Sequence, residues 1–203
     1  MLRISNVCYE MKPKLNKKML EMLVQTSQQR VLEVLYRNPE REFSLSDLAK
    51  EAGVAKPHIG KLLEALHSIG MITIVKLTKI WRIKANQENF GFVKNKIAYN
   101  LSFIYQSGLV EYLNERFENP NAIVLFGSFR QGLDLSTSDI DIALEIPEKR
   151  EYEVLTLPDL TEFERHIGRK IQLHVFSREA VDLNVFNSIA NGIVLLGFLE
   201  VKP

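Results

Sequence analysis

Residues 127–144 read GSFRQGLDLSTSDIDIAL. Just before them AIVLF, at 122–126, is a short apolar run leading into Gly127-Ser128, and DIDIALEI at 139–146 alternates in polarity, so both read as strands. Successive side chains of a strand face opposite ways. Asp139 and Asp141 therefore share one face, while Ile140 and Ile142 point into a core. Two neighbouring carboxylates repel unless a cation or a proton relieves them, and Mg2+ takes such oxygens together with those of phosphate. Upstream, Gly127 permits close backbone approach at a strand end. Ser128 and the nearby amides suit phosphate oxygens at the start of a short helix, with Arg130 as a charged partner. Alone, Gly-Ser is a turn and the aspartates are a solvated strand edge. Together, at this spacing, they describe a site for ATP or another nucleoside triphosphate with Mg2+.

Downstream, PDLTEFERHIG (158–168) has helical periodicity, IQLHVF (171–176) is a further strand, and SREAVDLNVFNSIANG (177–192) is a last helix before a strand at 193–196. This alternation predicts a small mixed-sheet α/β domain over 119–203.

Upstream the pattern changes. Residues 25–38 place Val31, Leu32, Val34 and Leu35 on a helical stripe that Pro39 closes. A short helix follows, with Ser44 or Ser46 as cap and Gly53 as stop. A third repeats Ile59, Leu62, Leu63, Leu66 and Ile69 between Pro57 and Gly70. Two β-rich runs, 71–75 and 80–84, then form a hairpin. Three helices and a hairpin in this order predict a winged helix-turn-helix over 1–85, whose third helix can enter a major groove of double-stranded DNA. Lys56, His58 and Lys61, with Glu64 or His67, fall on the outer side of that helix, and Lys76 and Lys79 lie near the wing tip to meet phosphate. Ala55 provides no capping oxygen. Trp81 is expected to cover the core between hairpin and helices, and His166 to meet a helix end. The overall class is α+β with two domains, joined over 86–118 by a helical connector too rich in Phe, Tyr and aliphatic residues for a loose tether. It is the expected contact of a homodimer.

The 203 residues are 46% hydrophobic and 25% charged, which argues against a disordered or fibrous chain. A single cysteine, Cys8, excludes an internal disulfide and cysteine-based zinc clusters, and it has no basic partner that would suggest a redox role. No apolar stretch reaches membrane-spanning length, so a soluble, cytoplasmic protein is expected. The net charge of +1 hides an asymmetry: residues 1–100 hold 17 Lys+Arg against 9 Asp+Glu, and residues 101–203 hold 9 against 16. A basic half invites a polyanion, and an acidic half can hold metal ions.

Gly127-Ser128 followed by Arg130, Gly132, Ser138 and Asp139-Ile140-Asp141 resembles the signature of the minimal nucleotidyltransferases, small members of the polymerase-beta-type superfamily. The resemblance covers about 120–203, including the strand after Gly168-Arg169-Lys170 and the closing 193–197 run. It implies that Asp139 and Asp141 bind two Mg2+ ions, that Gly127 and Ser128 hold the triphosphate, and that Arg130 and Ser138 belong to the same nucleotide site. Residues 25–84 separately resemble winged-helix transcriptional regulators, on the pattern running from Ala52 to Pro57.

The family's third carboxylate sits on the neighbouring strand, where this sequence has Gln172. An amide can ligate but contributes no charge and takes no proton. His174, two residues on, is a candidate catalytic base or metal ligand, and equally a half-buried polar group on a sheet face. Glu145 and Asp134 are the alternative carboxylates. Enzymatic activity is therefore left open. The leading expectation is a DNA-binding regulator whose second domain binds NTP and Mg2+. Its rivals are a nucleotidyltransferase acting on a hydroxyl of a protein or small molecule, and a non-catalytic interaction protein. The resemblance also implies a small all-helical partner protein encoded nearby.

Overall fold

A short helix, α1 (Lys17–Glu21), precedes α2 (Ser27–Arg37), which starts where Thr26 and Gln29 cap each other reciprocally. Gln29 N donates to Thr26 Oγ1 at 3.1 Å, and Thr26 N donates to Gln29 Oε1 at 2.9 Å. The computed structural model describes residues 15–21, 26–78 and 80–201, so Cys8 and Lys79 lie outside the described residues. Strand β1 (Glu42–Phe43) leads to α3 (Leu45–Glu51), for which Ser44 is the cap. Helix α4 (Lys56–Ser68) begins at Ala55 without a side-chain cap, as its sequence implies. The hairpin β2 (Ile72–Lys76) and β3 (Trp81–Ala85) completes a three-stranded sheet in the order β1-β3-β2. Its strands are displaced by one residue from the expected runs, because Leu77 and Ile80 close the turn through two mutual backbone bonds of 2.9 and 3.3 Å. Val31, Leu35, Leu48, Ile59, Leu63, Leu66 and Ile83 fill the core beneath, with Trp81 packed at its edge. This is a winged helix-turn-helix.

Helix α5 (Phe90–Gln106), capped by Asn89, enters two cores. Phe92 packs with Tyr36 in the first, at 5.1 Å between ring centroids, whereas Phe103 and Ile104 belong to the second. Not every aromatic of the connector is covered. Phe90 is 71% exposed because it precedes the inward stripe of Phe92, Lys96, Asn100 and Phe103, and Lys94 lies over its ring instead. Helix α6 (Leu109–Arg116) follows Gly108.

The second domain is built from β4 (Ala122–Phe126), α7 (Gly127–Gln131), β5 (Ile140–Glu145), β6 (Glu153–Leu155), a 3-10 turn at Pro158–Leu160, α8 (Thr161–Ile167), β7 (Ile171–Phe176), α9 (Leu183–Ala190) and β8 (Ile193–Gly197). Its sheet has the order β6-β7-β5-β4-β8, with β5 and β7 parallel and the other pairs antiparallel. Ile140, Ile142 and Leu144 face a core shared with Phe103, Leu113 and Phe163, as the alternation predicts. The opposite face packs Val124, Ala143 and Phe176 against Ile189 of α9, leaving the Asp141 end of that face for the candidate site. The architecture is thus two-domain α+β. Among the described residues no helix is long and apolar enough to cross a membrane.

The domains are joined by buried charge. Asp134, fully buried in the loop between α7 and β5, accepts from Arg169 Nε at 3.0 Å and Nη2 at 2.9 Å, and from Asn100 Nδ2 at 3.0 Å. Lys96 Nζ is 3.0 Å from its Oδ1. Arg169 also donates to the carbonyl of Arg37, and Arg37 donates to that of His166. Burial pushes the Lys96 ammonium pKa down, and the Asp134 charge opposes that shift. Two residues beyond Asp134, Ser136 donates to the Glu40 carboxylate through its backbone N–H and its hydroxyl. His166 stacks on Phe103 at 5.9 Å, and burial lowers its pKa, so it meets its helix end as a packed aromatic.

Replacing Asp134 with Ala would leave two buried cations without their counter-charge, and a loss of about 3–5 kcal/mol is expected in chemical denaturation. Glu40 gives a pH signature. Burial alone would raise its pKa, yet hydrogen bonds from Ser136 hold it below the ordinary carboxylate value. Because folding lowers this pKa, the stabilisation is complete above the unfolded chain's pKa and disappears as pH falls through the folded one. Melting curves of the wild type and Glu40→Gln should differ near neutrality and converge in acid.

Candidate functional site

The C-terminal end of β4 meets the start of β5 at one corner of the large sheet, with Phe126 opposite Asp141 in register. Gly127 follows at φ +71°, a conformation that favours glycine. The Asp141 carboxylate occupies the space where a side chain would stand. A Cβ on Gly127 would lie 3.1 Å from Asp141 Cγ and closer still to Oδ2. Strand and glycine are therefore mutually dependent, and Ser128 continues into the first turn of α7.

Strand β7 adds the other wall. Gln172 is opposite Asp141 in the parallel pairing, and its Nε2 donates to Asp139 Oδ2. His174 lies one step further on the same face, with Nε2 3.2 Å from Asp141 Oδ1. Its Nδ1 is 2.6 Å from the Tyr152 hydroxyl, and the edge of Phe126 packs against the ring at 4.8 Å between centroids. His174 is only 8% exposed, whereas both aspartates are half-buried and reach the surface. Burial, and then the Asp141 charge, raises the Tyr152 pKa and keeps it a neutral phenol.

Asp139, Asp141, Gly127, Gln172 and His174 are thus brought together, but other expected members differ. Ser138 closes its own turn: Leu135 N donates to its hydroxyl at 2.9 Å, so that group holds the loop leading to Asp139. Arg130 carries a buried guanidinium Nε with no hydrogen-bond partner. Glu145 is at the far end of β5, paired with Arg178 at 3.2 Å, and Asp134 is consumed by Lys96 and Arg169. Neither supplies a third carboxylate. Tyr152 was not legible as a site residue, because it lies in the polar run EKREYEV and β6 is too short to show a period.

On the other domain, Lys56, His58 and Lys61 stand exposed on the outer side of α4. Lys76 is tied back instead, 2.9 Å from Glu64 on α4 and 4.3 Å above the Trp81 ring.

A mixed sheet that gathers Gly-Ser, Asp-x-Asp and an adjoining strand at one corner defines a nucleotidyltransferase-type domain. Residues 108–197, a little under half of the chain, match the family described as "Polymerase beta, Nucleotidyltransferase", so the C-terminal domain is of that type. No curated protein sequence matches the chain significantly. Among solved structures, the chain is similar to NadR in complex with 4-hydroxyphenylacetate, with 18% identity over 51% of this chain and 65% of that one, at a TM-score of 0.29. It is also similar to MepR, a transcription regulator of the Staphylococcus aureus multidrug efflux pump MepA (22% identity, 54% of this chain, 83% of that chain, TM-score 0.35). A third is the transcriptional regulator Tm0710 from Thermotoga maritima (15% identity, 54% of this chain, 74% of that chain, TM-score 0.32). Likeness at this level carries no argument about function.

Gly127→Ala should cost about 2 kcal/mol or more, since it combines left-handed backbone strain with overpacking against Asp141. Denaturation curves of the variant beside those of Gly168→Ala, which has φ +75° and nothing within 4 Å of the added Cβ, would separate the two contributions.

Proposed function

We propose that the protein is a DNA-binding winged-helix regulator whose C-terminal domain binds a nucleoside triphosphate together with Mg2+. The observation that carries the nucleotide part is the convergence of Gly127-Ser128 with Asp139 and Asp141 at one exposed sheet corner. Among the described residues no group of three or more His, Cys, Asp or Glu side chains is arranged to hold a metal. Two half-exposed carboxylates nevertheless fit Mg2+, which takes one or two of them along with waters and phosphate oxygens. The orphaned Nε of Arg130 offers a further donor for an anion. Asp139 and Asp141 would hold the ion, and the ion would neutralise phosphate charge.

Gln172 favours binding over transfer. Its amide already donates to Asp139, and it cannot take a proton from an acceptor hydroxyl. The regulator half rests on Lys56, His58 and Lys61, which α4 presents without ion-pair partners among the described residues, and on the positive balance of residues 1–100.

Calorimetry with ATP tests the first part. Binding that requires Mg2+ in the wild type and falls at least tenfold in Asp139→Asn and Asp141→Asn is expected; no wild-type binding, or equal binding in all three, would refute it. For the second part, duplex binding should weaken as salt rises, and Lys56→Ala and Lys61→Ala should alter sequence preference. Duplex affinity and sequence preference both unaffected by these two substitutions would remove the DNA assignment.

A further inference from the structure

Each aspartate of the corner has one oxygen committed to a side chain of β7. Gln172 holds Asp139 Oδ2 and His174 holds Asp141 Oδ1, while Asp139 Oδ1 and Asp141 Oδ2 accept no hydrogen bond from the described residues. The His174 ring is buried with both nitrogens engaged, so its hydrogen placement follows from its partners. A carboxylate can only accept, so Nε2 carries the hydrogen towards Asp141. In the neutral ring Nδ1 is then an acceptor, and the group facing it is the Tyr152 hydroxyl, which donates across 2.6 Å.

We infer that Tyr152 is a positioning residue of the nucleotide corner: through His174 it fixes the Asp141 carboxylate so that Oδ2, the oxygen beside Gly127, is the one offered to a nucleotide-borne cation. The chain of contacts runs Tyr152 Oη–H to Nδ1, then Nε2–H to Asp141 Oδ1. Tyr152 is held for this task from both sides. Upstream, the buried Ser177 hydroxyl donates to the Arg150 carbonyl at 2.8 Å and accepts from the Arg150 N–H at 3.0 Å. Downstream, β6 pairs Val154 with His174 itself. Phe126 blocks the imidazole from turning out of line. Partners of this kind set the orientation and tautomer of groups around a metal, and their loss costs about 10- to 100-fold in metal affinity. The role towards the cation rests on the nucleotide reading of this corner, whereas the hydrogen-bond chain does not.

The two parts are tested separately on the full chain. With 15N-labelled histidine and no ligand, His174 should show one nitrogen of the N–H type and one of the acceptor type, assigned by the signal lost in His174→Gln. Tyr152→Phe removes one hydroxyl from a half-exposed ring, so it should leave the fold intact. It should move the Nδ1 signal and admit the second tautomer; unchanged His174 signals would overturn the proposal. In calorimetry with ATP and Mg2+, Tyr152→Phe should weaken binding about 10-fold. His174→Gln, whose amide can still donate to Asp141, should keep the affinity that His174→Ala loses. Equal Mg2+-dependent affinity in the wild type and Tyr152→Phe would also overturn the positioning role. A wild type that binds no ATP would refute the nucleotide reading, and the nitrogen spectra would then decide whether Tyr152 positions His174.

Discussion

Asp134 is the residue on which the rest of the structure depends. A carboxylate with no exposed surface is tolerable only when its oxygens are saturated, and here Lys96, Asn100 and Arg169 saturate them from a helix and from the approach to a strand. The consequences reach the site through short lengths of chain. Asp139 lies five residues after Asp134, and Gln172 three residues after Arg169, so one ion pair sets the starts of β5 and β7 side by side. The same arginine meets the end of α2, which brings the winged helix into the arrangement.

At the corner thus formed, the chemistry is decided by which groups donate and which accept. A third acid would have added charge and a proton acceptor. Gln172 contributes a donor instead, and His174 does the same for Asp141, so both aspartates are partly satisfied before any ligand arrives.

Much of this was legible in the sequence because its physical cause is local. The alternation in DIDIAL sent Ile140 and Ile142 inward and the aspartates outward, and Pro57, Gly70 and the apolar stripe between them delimited α4. Pairing across long separations was not legible. Asp134 looked like a spare acid until Lys96 and Arg169 closed on it, 38 and 35 residues away. Ser138 fitted the nucleotide signature, yet its hydroxyl serves a four-residue turn. Tyr152 gave no signal at all, since it stands just before a three-residue edge strand with too few positions to show a period, and its partner is reached only through the fold.

Helix α5 contributes Phe92 to one core and Phe103 to the other within 17 residues, a rod of about 25 Å with no joint along its length. Two domains linked by a flexible tether would melt as independent units. Here the last turns of the helix cannot fray without removing wall from the large sheet, and the first cannot fray without uncovering Tyr36, so neither unit has a native state that ignores the other. Cooperativity is thereby extended across the whole chain: a calorimetric scan should show one transition, with equal calorimetric and van't Hoff enthalpies, where the domain count would suggest two.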